Sequence, residues 1–261
     1  MPSRSQISAR YSRTTLGSKK TFEYACVGAG VATNILFFVG LLAGSMMPPL
    51  APAHTAEEVV SHYKRHLTGI RVLATLVLWS GPLYVMWTAV CSSQMKRIPG
   101  VPHAVTATQL ASGALGAVGF YAPAILFATT AYRPERPPEI TMALNDLSWI
   151  FTVFGFTPVV TQNVAFGWAI LADLRPKPLF PRWLGWMNVI LPFGLSPGMG
   201  LHFVHHGPIA WNGWVTFWLG FVWFGGLTGA NIMYLILAIG NDMERDAVEE
   251  VVVEDVTKRN C

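Results

Sequence analysis

The chain of 261 residues is 52% hydrophobic and only 12% charged, with a formal net charge of +4. A water-soluble domain of this size carries about 25% charged residues, so this balance excludes an ordinary soluble fold and points to lipid as the solvent. The 18 lysines and arginines lie at the ends of apolar runs with no basic stripe and no binding motif, which argues against nucleic acid as a partner.

Residues 24–53, 72–95, 98–132, 147–172 and 183–241 contain no Asp, Glu, Lys or Arg. A membrane-spanning helix needs about 20 mainly apolar residues, and the last run is long enough for two helices and a turn. The prediction is an all-α, polytopic transmembrane helix bundle of six spans, with the bilayer as its first partner. Buried helices of a large soluble protein would show charged faces at helical period, and these runs lack them.

In chain order, residues 1–20 form a basic arm (Arg4, Arg10, Arg13, Lys19, Lys20) ahead of a transmembrane domain over 21–240. The first span covers about 24–48 and ends at Pro48-Pro49. Its length exceeds the roughly 7–15 residues of a signal-peptide core. It therefore reads as a retained anchor, although Ala51-Pro52-Ala53 resembles a cleavage site; cleavage would leave five spans. Thr55 and Glu58 have capping-box spacing, which predicts a short surface helix leading into the second span, about 70–92. Lys96, Arg97 and Pro99-Gly100 turn the chain into the third span, about 104–131. A polar loop from Arg133 to Glu139 precedes the fourth, about 143–171, in which Pro158 predicts a kink. A basic turn with three prolines (Asp173 to Arg182) leads to the fifth, about 183–203. A short loop at His206 to Pro208 leads to the sixth, about 210–240, and an acidic tail over 241–261 follows.

Lysine and arginine asymmetry sets orientation. With the N-terminus inside, thirteen basic residues fall on the cytoplasmic side and five outside (Lys64, Arg65, Arg71, Arg133, Arg136). This predicts both ends in the cytoplasm and a multi-pass protein of the plasma membrane. Trp168, Trp183 and Trp186 would lie at the inner interface, and Trp149, Trp211 and Trp214 at the outer one, where amphipathic rings prefer to sit. Small residues one turn apart (Gly40 and Gly44, Ser112 and Gly116, Gly194 and Gly198, Gly225 and Gly229) suggest close helix contacts, within the bundle or with a homo-oligomer or membrane-complex partner.

Two residue sets have chemistry. Six of seven histidines fall on the outer side, including His62 with His66 and His202 with His205 and His206. Spacings of three and four put imidazoles on one helical face, as a copper, zinc or iron site needs; the competing reading is a set of wet interfacial histidines. The second set is polar and lies at membrane depth. Asn145 and Asp146 stand near the outer end of the fourth span, with Arg71 within reach as an ion-pair partner. Thr157, Thr161, Gln162 and Asn163 follow, and Asn188 is in the fifth span. Such groups must face protein or water, either lining a ligand cavity or forming interhelical hydrogen bonds. Cys26, Cys91 and Cys261 show no CxxC or zinc spacing, and nucleotide-binding and hydrolase motifs are absent, which favours a non-enzymatic role.

The stretches Arg133–Glu139 (RPERPPE), Leu144–Trp149 (LNDLSW), Phe180–Asn188 (FPRWLGWMN) and Gly207–Gly213 (GPIAWNG) resemble those of a group of six-span bacterial membrane proteins common in actinobacteria. The resemblance covers about residues 24–240. It implies a six-span fold and draws attention to Asn145, Asp146, Arg182, Asn188 and Asn212, and it brings no activity or ligand set with it. Three roles follow in order of preference. The first is binding or moving a small apolar molecule or lipid in a cavity between the fourth, fifth and sixth spans. The second is an accessory subunit of a membrane complex, and the third a histidine-ligated membrane oxidoreductase.

Overall fold

The structure is a computed structural model that describes residues 19–259, with side chains described for 20–241 except Leu195. The basic arm up to residue 18 and Cys261 lie outside the described residues. All regular structure among the described residues is helical. Five helical stretches are long and apolar enough to cross a membrane: Lys20–Ala43, Leu67–Met95, His103–Tyr132, Pro138–Leu171 and Trp214–Asn241. Each leaves large apolar side chains uncovered, among them Phe22, Ile35, Trp79, Leu115, Ile125, Phe151 and Val222. A soluble monomer rarely exposes contiguous apolar patches beyond a few hundred Å², whereas lipid solvates such a belt. This is a membrane protein.

Helix α1 (Lys19–Ala43) is followed by a short α2 (Ala56–Arg65) and by α3 (Leu67–Met95). The capping box is formed: Glu58 N donates to Thr55 Oγ1 at 3.3 Å, and Thr55 N donates to Glu58 Oε2 at 2.8 Å. His66 separates α2 from α3. The third and fourth predicted spans are each broken once, into α4 (His103–Gly116) with α5 (Val118–Tyr132), and α6 (Pro138–Phe154) with α7 (Thr157–Leu171). The second break falls at Gly155-Phe156. Pro158 therefore lies in the first turn of α7, where its missing N–H costs nothing. The two breaks meet: a Cβ placed on Gly155 would lie 2.6 Å from the Gly119 Cα, so only glycine lets these backbones approach so closely.

The fifth predicted span departs most from expectation. It is α-helical only over α8 (Arg182–Ile190) and continues as a tight 3-10 segment over Leu191–Phe203. Pro192 and Pro197 remove backbone donors, and Gly194, Gly198 and Gly200 weaken what remains. The sixth begins at Trp214, not 210, with one π-helical turn (Trp214–Leu219) and runs on as α9 (Gly220–Arg259), into the predicted acidic tail.

Consecutive spans are neighbours, α1 on α3, α3 on α4 and α5, α5 on α6, α7 on α8, and α9 closes the bundle against α1. Gly40 and Gly44 face Leu73 of α3, so that small pair is a contact inside the bundle. A Cβ on Gly229 would meet nothing within 4 Å. The bundle has two recognisable ends. One carries α2 and the loop to the π turn, tied together where Trp211 Nε1 donates to Leu50 O at 2.7 Å. The other carries the α3–α4 turn and the α7–α8 turn, where both carboxylate oxygens of the buried Asp173 accept from Arg175 and from the Leu179 amide.

Candidate functional site

The polar side chains that the sequence singled out form three separate groups. At the α2 end, Tyr63 Oη donates to Asn145 Oδ1 at 3.2 Å, and Asn145 Nδ2 reaches Asp146 Oδ1 at 3.5 Å. Asp146 is half-buried. Arg71 does not pair with it. Its guanidinium donates to Ala131 O at 3.2 Å and 3.4 Å, because the start of α3 packs beside the C-terminal end of α5, where free carbonyls need donors.

A second group lies toward the opposite end. Gln162 of α7 accepts from Tyr84 Oη and donates through Nε2 to Thr88 Oγ1, at 2.5 Å and 2.8 Å. Gln109 of α4 donates to the same Thr88 oxygen at 3.1 Å. All four residues are buried, and three transmembrane segments are joined through one hydroxyl. The third group is a reciprocal amide pair, Asn188 with Asn231, at 2.8 Å and 3.0 Å. Asn163 Nδ2 donates to Val159 O within its own helix at 2.8 Å. Thr157 and Thr161 are exposed on α7. None of these residues lines the aromatic cavity described next, and Tyr84, Thr88, Gln109 and Gln162, like Asn188 and Asn231, bond between helices as interhelical fasteners do.

The histidines do not assemble. Among the described residues no group of three or more His, Cys, Asp or Glu side chains gathers as a metal site would require. His62 and His66 stack with ring centroids 4.6 Å apart, His202 packs on Phe154 and Phe203, and His205 and His206 are exposed. Burial and then the adjacent His66, with Arg65 and His54 beyond it, hold the His62 imidazole below its ordinary value. The sign is that of a group whose folded form prefers to be neutral: docking of α2 is firm at neutral pH and weakens as pH falls below about 6.5. Glu58 is held below its ordinary carboxyl range, chiefly by the Thr55 N–H, so the α2 cap survives this interval. Relative to the intrinsic rate at each pH, the amide protection of Val59–Tyr63 should therefore fall between pH 7 and pH 5 in the wild type, and much less in His62→Gln. An equal fall in both would place the pH response elsewhere.

The cavity sits between α1, α6, the 3-10 segment, the π turn and α9, in the half of the bundle nearer α2. Its volume is about 90 Å³, and it is open on one side. The floor is aromatic: Phe37, Phe156 and Phe224 meet with centroids 5.4 Å to 6.3 Å apart. Trp149 and Thr152 form one wall, Gly198 and Met199 another, and Thr216, Phe217 and Trp223 a third. At this wall the 3-10 segment packs closely on the π turn: a Cβ on Gly198 would lie 3.2 Å from Thr216 Cγ2.

No family model matches this chain, and neither does any curated protein or solved structure. The site therefore rests on its own geometry. Its apolar walls suit a hydrocarbon group. It presents no ionised group and no paired nucleophile and base. Reasoning from sequence missed the aromatic lining, because Phe and Trp at membrane depth carry the same hydropathy signal whether they face a cavity, the core or lipid. Trp149 and Trp211 are buried, whereas Trp168, Trp183, Trp186 and Trp214 are exposed.

Proposed function

We propose that this chain is a six-span, multi-pass protein of the plasma membrane, with both ends in the cytoplasm, that binds a small apolar molecule or lipid chain in the aromatic cavity. The observation that carries the reading is that cavity: a small, partly open pocket with almost wholly apolar walls, beside a segment of irregular backbone. Ligand sites occur between helices of bundles and are mostly apolar. Irregular backbone at membrane depth is tolerated where it is buried in protein or lines a cavity.

Length supports the sixth crossing. The 9 residues of α8 and 13 of the 3-10 segment rise about 1.5 Å and 2.0 Å each. Together they reach about 40 Å, enough for a hydrocarbon core of about 30 Å. With that crossing counted, the thirteen-to-five distribution of basic residues puts the α2 end and the cavity on the outer side.

Native mass spectrometry of the detergent-purified protein tests the reading. An apolar molecule should accompany it at a fixed ratio, and Thr152→Phe, which fills the wall beside Trp149, should lose that molecule while retaining its melting temperature within a few degrees. A wild type with no bound species, before or after incubation with a medium-chain alkane, would contradict it.

A further inference from the structure

Contacts of unequal strength bound the aromatic cavity. Toward α2 the boundary includes hydrogen bonds: the buried Trp211 donates to Leu50 O at 2.7 Å, Val215 N to Pro208 O at 3.0 Å and Thr216 Oγ1 to Ile209 O at 2.9 Å. Toward the middle of the bundle lie the packed rings of Phe37, Phe156 and Phe224. On the α6 side Trp149 meets Phe217 with ring centroids 6.4 Å apart, and Phe154 meets His202 of the 3-10 segment at 5.6 Å.

Between α1 and the start of α9 the boundary is a pair of rings. Phe38 and Phe221 both line the cavity, and their centroids are 4.1 Å apart. Both are half-buried, and each also borders the apolar outer surface of its own helix. Phe38 stands three residues from Ile35 and four from Leu42, both exposed, and such spacings share a helix face. Phe221 lies beside the exposed Trp218, with ring centroids 6.5 Å apart, and precedes the exposed Val222. Where Phe38 reaches α9 it lies over Gly225, on which an added Cβ would be 3.6 Å from the ring, so the ring rests there against backbone.

From this we infer that the cavity is entered sideways from the bilayer, between α1 and α9, with Phe38 and Phe221 as its door. The inference rests on the proposed binding role and adds the route by which the apolar molecule arrives. Such a molecule collects in the bilayer and is scarce in water. Swinging either ring outward exposes no polar group, and lipid chains are as apolar as the side chains it leaves. Opening toward α2 would instead detach the Trp211 N–H from its acceptor, which leaves a polar group unsatisfied. Rotation of a half-buried side chain is also faster than movement of a helix such as α2.

Exchange of a terminally fluorinated octane between bilayer and protein, followed by fluorine NMR with the full chain in lipid nanodiscs, gives an entry rate and a release rate. Removing a door raises entry as well as release, whereas removing a wall contact raises release alone. Phe38→Ala and Phe221→Ala should each raise both rates by roughly fivefold or more. Tyr63→Phe, which frees α2 from Asn145, should leave both within about twofold of wild type. Phe38→Cys combined with Phe221→Cys gives a comparison within one folded protein, in a Cys261→Ser background where the remaining cysteines are buried. Bridged by a bifunctional methanethiosulfonate, this variant should exchange more slowly in both directions until a reductant removes the bridge. A rise in release alone would make the two rings wall contacts and overturn the door. Unchanged rates in both alanine variants would overturn the lateral route, and faster exchange in Tyr63→Phe alone would place the entrance at the α2 end. A wild type that binds no probe would remove the site itself, and the route with it.

Discussion

Thr88→Val should lower stability by about 2–4 kcal/mol, because it strands two buried amide donors at once. Valine has the shape of threonine, so packing is conserved and the loss is electrostatic. The Nε2 groups of Gln109 and Gln162 both end on Thr88 Oγ1, and membrane interiors supply no water to replace it. A typical interhelical side-chain hydrogen bond in a membrane protein is worth only about 0.6 kcal/mol. The prediction exceeds that because two helices lose their acceptor and Gln162, which also receives Tyr84, loses its orientation. Reversible unfolding in mixed micelles measures the difference, with Thr88→Ser as the control that keeps the hydroxyl. A loss below about 0.6 kcal/mol would mean that the amides find other partners and the network is incidental.

Gly155→Ala should be more disruptive than its one methyl suggests. The added carbon would lie 2.6 Å from the Gly119 Cα, which is backbone and cannot rotate away. The break between α4 and α5 would have to separate from the break between α6 and α7, at a cost of about 3 kcal/mol or more, the upper end of overpacking penalties. Gly226→Ala is the matched control. It lies in α9, where a Cβ meets nothing within 4 Å, and a helix-interior alanine should stabilise by about 0.5–1 kcal/mol. Melting temperatures moving in opposite directions would confirm that the two glycines do different work. A neutral Gly155→Ala would show that the bundle can open at its middle without loss.

Much of this architecture is readable in the sequence because charge is expensive in lipid. The spans drawn from the charge-free runs end within about five residues of the five long helices, and Thr55 with Glu58 locates α2. What the runs cannot show is backbone regularity. Hydropathy sums side chains, so Leu191–Phe203 scores as a span although its prolines and glycines prevent an α-helix. The same blindness hides the breaks at Ala117 and at Gly155, which are set by where two helices cross.

Polar candidates are legible one residue at a time and not as groups. Gln162 stands out as an amide at membrane depth, yet its partners Tyr84, Thr88 and Gln109 come from other helices and are ordinary residues in their own segments. Asn188 is visible, and Asn231 becomes its partner only through the docking of α8 on α9. Arg71 shows the reverse: its place at the start of its span suggests Asp146 as a partner, and the helix-end carbonyl of Ala131 takes it instead. The cavity lining is the least legible feature of all, since nothing in a run of Phe, Trp and Gly distinguishes a wall from a filled core.

Whether the space bounded by Phe37, Trp149, Phe156 and Phe224 binds apolar molecules decides the proposed function. The most direct measurement is an anomalous difference map from crystals of the full chain soaked with a bromoalkane of medium length. A bromine peak is expected inside the pocket, weakened or absent in Thr152→Phe. Bromine found only along the lipid-facing surface, at a concentration that saturates the detergent, would contradict it.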